Sequence, residues 1–169
     1  MTFILFRVEF DLMNQMNGDH DHDRLIARFL PKLSEVANDR GVVCGTVRLH
    51  KSYIPKQVAS GIEMSYVFPK TRPSRVEMWI YHRKHNGGVE ASKELFEHFH
   101  SKKREIEANY GGPLNWNYEG RRTAFSIQQE YPGFQLSRES DWDQWIDRIV
   151  TDMKKLDDSL VPHYINMRN

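Results

Sequence analysis

The string GDHDHD at residues 18–23 places Asp19, His20, Asp21, His22 and Asp23 side by side. Carboxylate and imidazole are the donor types that hold a divalent cation. A metal-dependent phosphodiesterase or nuclease would draw on Asp19, His20 and His22, completed by His82 or His85 from farther along the chain. Ligands this close in sequence need partners from elsewhere before they converge on one ion. Read for structure alone, the string is a polar loop whose last aspartates cap a helix and suit its dipole.

A second set of residues implies a different chemistry. HSKKRE puts Lys102, Lys103 and Arg104 on one helical turn, RPSR sets Arg72 and Arg75 at a hairpin, and GRR adds Arg121 and Arg122 just past another. Trp79, Trp116 and Tyr118 fall on nearby strands. Basic hairpin ends beside aromatic strand faces can contact phosphates and stack bases, which is how a nucleic-acid surface works. The structural alternative is a solvated helix face in which Lys103 pairs with Glu107 at four-residue spacing.

Other chemistries are poorly supplied. Cys44 is the single cysteine, which excludes an internal disulfide and a multi-cysteine zinc site, and its setting in GVVCGTV reads as a strand holding a small buried thiol. A nuclease core of the PD-(D/E)xK type needs Glu and Lys one residue apart on a strand. Glu77 with Lys84, and Glu90 with Lys93, have the wrong gap. No phosphate-cradling glycine loop and no nucleophile elbow occur.

These residues must be positioned by one domain spanning residues 1–169, long enough to bury a core. Lys plus Arg number 24 against 23 Asp plus Glu, so any binding of nucleic acid must rest on a local patch. MTFILFRVEFDLM alternates Ile4, Phe6, Val8, Phe10 and Leu12 against Arg7, Glu9 and Asp11, the pattern of a half-buried strand. It is too charged for a signal peptide and too short for a membrane span, so a cytoplasmic protein without membrane contact is expected. Leu25, Ile26, Phe29, Leu30, Leu33, Val36 and Ala37 follow at helical spacing with Pro31 inside, and Gly41 ends them. VVCGTVRLH, GIEMSYVF and RVEMWIYH read as strands. In the last two, Ile62, Met64, Tyr66 and Phe68, and then Val76, Met78 and Ile80, face one way, with Trp79 opposite.

A helix then carries Leu95, Phe96, Phe99, Ile106 and Tyr110, and Gly111 or Gly112 closes it before Pro113. LNWNYEG and RRTAFSIQQE form a hairpin. The last helix starts near Ser140 or Asp141 with Trp142, Trp145, Ile146, Ile149, Met153, Leu156 and Leu160 as its stripe. The expected class is α+β, a mostly antiparallel sheet with three helices in the order strand, helix, strands, helix, hairpin, helix.

Within LFEHFHSKKREIEANYGGPLNW, Lys103, Ile106, Glu107, Gly111, Leu114 and Trp116 form a distinctive string. It resembles the hallmark of domain of unknown function family 4268, and so do Arg75, Val76 and Glu77, Phe96, Ile127 and the Trp142-led helix. The likeness covers roughly residues 60–165. It implies no assigned activity and no catalytic set; the family sometimes follows predicted nuclease domains in restriction-like or defence-like proteins. The resulting expectation is a non-catalytic interaction module associated with nucleic acid and linked to defence, requiring no cofactor. Its partners would be nucleic acid, another protein or a second copy of the chain. The alternatives are the metal-dependent phosphodiesterase above and a purely structural homodimeric domain. Contacts to a ligand would come from Arg72, Arg75, Trp79, Lys102, Lys103, Arg104, Glu107, Trp116, Tyr118, Arg121 and Arg122.

Overall fold

The computed structural model describes residues 2–48, 50–117 and 125–165, with side chains from residue 21 onward apart from that of residue 85. Five antiparallel strands form one sheet in the order β1-β2-β3-β5-β4: β1 (Tyr53–Ala59), β2 (Ile62–Val67), β3 (Ser74–Ile80), β4 (Asn115–Asn117) and β5 (Phe125–Tyr131). The helices are α1 (Thr2–Asp39), α2 (Gly88–Ser101), α3 (Lys103–Tyr110) and α4 (Trp142–Tyr164). The class is α+β.

Alternation along the strands divides the sheet into two unlike faces. Ile62, Met64 and Tyr66 on β2, Val76, Met78 and Ile80 on β3, and Phe125, Ile127 and Tyr131 on β5 are buried in one core with the helices. Phe96 of α2 stacks on Phe125 at 5.4 Å, and Phe29 of α1 meets Phe68 at 5.0 Å and Trp142 of α4 at 5.2 Å. The stripe of α4 expected from its spacing is buried as one row, from Trp142 through Ile146, Ile149, Met153 and Leu156 to Leu160.

Four expectations are corrected. Residues 4–12 are helical, as part of α1, rather than a strand. The alternation that suggested a strand also contains Ile4, Val8 and Leu12 at four-residue spacing, so period two and helical period were both satisfied. α1 also runs through Pro31, which neither kinks it into two elements nor delays its start. Residues 42–48 are neither helix nor strand. The backbone of Gly45 lies so close to Pro55 that a Cβ would overlap the Pro55 carbonyl. The first strand is instead β1, which the sequence hid behind Pro55; a proline is tolerated there because the strand is at an edge.

The fourth correction concerns the α-helices, four among the described residues rather than three. The single helix expected from near Ser92 to Gly111 or Gly112 divides at Lys102, whose ψ of 11° leaves the helical region. Just before the break, the Ser101 hydroxyl donates to the His98 carbonyl at 2.7 Å, competing with the helix ladder.

Candidate functional site

The two sets of chemically competent residues fare differently. His22 lines a cleft beside the β2–β3 loop, with Phe68, Lys70 and Arg72. His82 packs its ring on Gly61 in the β1–β2 turn and takes a hydrogen bond geometry with Ser92, Nδ1 to Oγ 3.3 Å. Because β2 runs between that turn and Phe68, the two histidines sit at opposite ends of the sheet. Among the described residues no three His, Cys, Asp or Glu side chains gather as a metal site. The side chains of Asp19, His20 and His85 lie outside those described. Cys44 is half-buried with Sγ 3.7 Å from the Ser34 hydroxyl, and burial pushes its thiol above the ordinary value, away from a reactive thiolate.

Among the described residues, the basic and aromatic candidates are spread over both faces of the sheet. Lys102 and Arg104 are exposed where α2 meets α3, on the helical side of the sheet. Arg72 is exposed in the β2–β3 loop, and Tyr118, Arg121 and Arg122 lie outside the described residues. Arg75 is engaged by Glu77, its Nε donating at 2.6 Å to a carboxylate that is almost fully buried. Trp79 is 37% exposed and points away from the helices.

Lys103, Glu107 and Trp116 do come together. One oxygen of Glu107 accepts both the Leu114 N–H and the Trp116 indole N–H, each at 3.0 Å. The Lys103 ammonium stands 3.8 Å from the same oxygen and 5.7 Å from the Trp116 ring. Gly111, at φ 91°, closes α3 in the left-handed conformation, and its N–H and that of Gly112 both reach the Glu107 carbonyl. Side chain and backbone of one glutamate therefore tie the helix end, the turn and the start of β4. A family model for a domain of unknown function (DUF4268) matches residues 55–163.

The chain belongs to this family.

No curated relative and no solved structure matches it. In this DUF4268 chain the string that carries the family likeness is accounted for by folding: Ile106 is fully buried, Gly111 caps, and Glu107 holds the turn. α1 begins ahead of the DUF4268 match and still supplies Phe29 to the core. Among the described residues no helix is long and apolar enough to cross a membrane.

A cleft beside the end of α3 is similarly self-contained. The Tyr110 hydroxyl donates to Gln129 at 3.2 Å, the Tyr131 hydroxyl donates to Asp152 at 3.2 Å, and the Arg148 guanidinium lies over Tyr131.

What the hydrophobic core does not account for is the second face of the DUF4268 sheet, where Ser65, Glu77, Ser126 and Gln128 are buried but none of the described strand residues joins the core. Register places Gln57, Glu63, Trp79, Ser126 and Asn117 in one row across all five strands, and Ser65, Glu77 and Gln128 in the next. Trp79, and Tyr81 two residues on at 45% exposure, stand at a cleft of about 410 Å³ lined also by Gln57, Glu63, Arg83 and Asn86. Sequence reasoning singled out Trp79 but passed over Tyr81 and Glu63. Both were readable from alternation: RVEMWIYH sets Trp79 and Tyr81 on the face that Val76, Met78 and Ile80 leave, and GIEMSYVF sets Glu63 on the face that Ile62, Met64 and Tyr66 leave.

Burial pushes the Glu77 carboxyl above its ordinary value, against the opposing pull of Arg75. The folded protein thus holds this proton more tightly than the unfolded chain. The contribution to stability rises as pH falls through the folded value and levels off below the reference of 4.5. In urea melts the native protein should gain stability relative to Glu77→Gln as pH drops from about 7 toward 5. An unchanged difference would show that Glu77 is not desolvated.

Proposed function

We propose that this chain is a non-catalytic binding module that takes single-stranded nucleic acid on the sheet face opposite the helices. The observation that carries this reading is the exposed Trp79–Tyr81 pair beside a polar cleft holding Arg83, on a face that the core does not use. Stacking of a base on an aromatic side chain is worth about 1–3 kcal/mol and is open to any base. With cations and anions nearly equal in number, stacking and the local Arg83 charge have to supply the affinity.

The test is fluorescence anisotropy with labelled single strands at low ionic strength. Trp79→Ala should weaken binding about tenfold, from the loss of one stack, while the protein stays folded with a stability loss of about 1–2 kcal/mol, because the indole is 37% exposed and packs only in part on its neighbours. Affinity should also fall as salt rises. If no strand binds with a salt-dependent affinity, the nucleic-acid reading ends, and a protein-binding role for the same face takes its place.

A further inference from the structure

Resting on that reading of the face, the geometry points to a base preference: the position beside Trp79 favours guanine, with Glu63 as the selecting residue. Glu63 is the direct cross-strand partner of Trp79 on β2, and Ser126 is its partner on β5. Side chains directly opposite in an antiparallel pair have Cβ atoms about 4.5–5.5 Å apart. A base stacked on the indole is therefore bordered by the Glu63 carboxylate on one side and by Ser126 on the other. Ser126 takes the Asn117 amide, Nδ2 to Oγ 3.3 Å, so this pair is bonded to itself. Glu63 accepts the Ser65 hydroxyl at 3.0 Å on one oxygen, which steadies a half-buried carboxylate at the floor of the cleft.

An ionised carboxylate accepts and cannot donate, and it has room for several donors. Guanine offers N1–H and N2–H as adjacent, parallel donors on its Watson–Crick edge, a match for the two oxygens. Cytosine and adenine offer one amino group. The lone N3–H of thymine or uracil lies between two carbonyl oxygens, which the carboxylate repels. Charge also sets the path of the strand. Glu63, Glu77 and Glu130 all face this side of the sheet, with Arg75 engaged by Glu77, so phosphates are kept off its middle. Arg83 and Asn86, at the cleft's rim, are where they can run.

The test compares oligothymidine of about eight residues with the same strand carrying one central guanine, and with hypoxanthine in that place, which lacks the N2 amino group. The guanine strand should bind about tenfold tighter than the all-thymine strand, the scale of a good bidentate pair, with the hypoxanthine strand between them. Glu63→Gln, checked by circular dichroism, should bring the guanine and thymine strands to within about twofold of each other. Equal binding of all three strands by the native protein, with Trp79→Ala still weakening them, overturns the base preference and leaves the stacking surface standing. Binding of none of them overturns both. So does an arginine-rich peptide that quenches Trp79 where no strand does, since a cationic side chain would suit the same carboxylate and ring.

Discussion

Glu107→Ala is expected to lower the unfolding free energy by about 3 kcal/mol, since two hydrogen bonds to a charged group at about 1.5 kcal/mol each are lost. The Leu114 N–H and the Trp116 indole N–H both end on this carboxylate, and Leu114 is buried. Removing the acceptor leaves them without their partner, and the start of β4 loses its tie to α3. Lys103→Ala should cost no more than about 0.5 kcal/mol, because that ammonium is 40% exposed and 3.8 Å away. Burial pushes the Glu107 carboxyl up, but the Leu114 and Trp116 hydrogen bonds and the Lys103 charge outweigh it and hold it below its ordinary value. Its stabilisation is thus complete above the reference of 4.5 and is lost as pH falls through the lower folded value. This is the opposite slope to that of Glu77. Urea denaturation at neutral pH measures the first effect; a loss below about 0.5 kcal/mol would mean that the carboxylate is not the tie between α3 and β4.

The largest effect on the core is expected from Phe29→Ala, a loss of about 3–5 kcal/mol. Phe29 is fully buried and touches Phe68, Phe134 and Trp142 with ring centroids 5.0, 5.3 and 5.2 Å away. Those rings belong to the end of β2, the β5–α4 connection and the first turn of α4, so one side chain of α1 joins the elements on either side of the sheet's end. The cavity would open at a junction of rigid rings that cannot collapse inward. The melting temperature should fall by about 10 °C, at roughly 2–4 °C per kcal/mol for a chain of this size. Phe29→Leu, which keeps most of the volume, should lose well under half as much. Equal losses for the two variants would show that the aromatic packing is not what the site needs.

How far the sequence could be read depended on the range of the forces involved. The stripe of α4, the faces of β2 and β3 and the glycine stop after Tyr110 are set by neighbours three or four residues away, and they stood out. α1 was misread up to Leu12 because a period of two fits both a strand and a helix with four-residue spacing. β1 was missed because Pro55 looks like a breaker until its place at the sheet's edge is known. The break at Lys102 has no glycine or proline to announce it; what accompanies it is the Ser101 hydroxyl on the His98 carbonyl. The row beside Trp79 was beyond reach for another reason: it joins residues from five strands, and only the order β1-β2-β3-β5-β4 sets Ser126 next to Trp79. Alternation along β3 parts Trp79 from Lys102 and Arg104, which the chain's basic turns had suggested as its companions, by putting it on the face away from the helices.

Gly45 against Pro55 bears on how open this edge of the sheet is to a strand from another copy. An outer strand with free amides and carbonyls is a template for another chain. At Pro55 the ring nitrogen has no hydrogen to donate, and Gly45, in the segment 42–48, lies against the carbonyl. An incoming strand thus finds neither group within reach midway along β1. A bulkier residue at position 45 would push the segment off and uncover that template, so its first symptom would be clumping at high concentration.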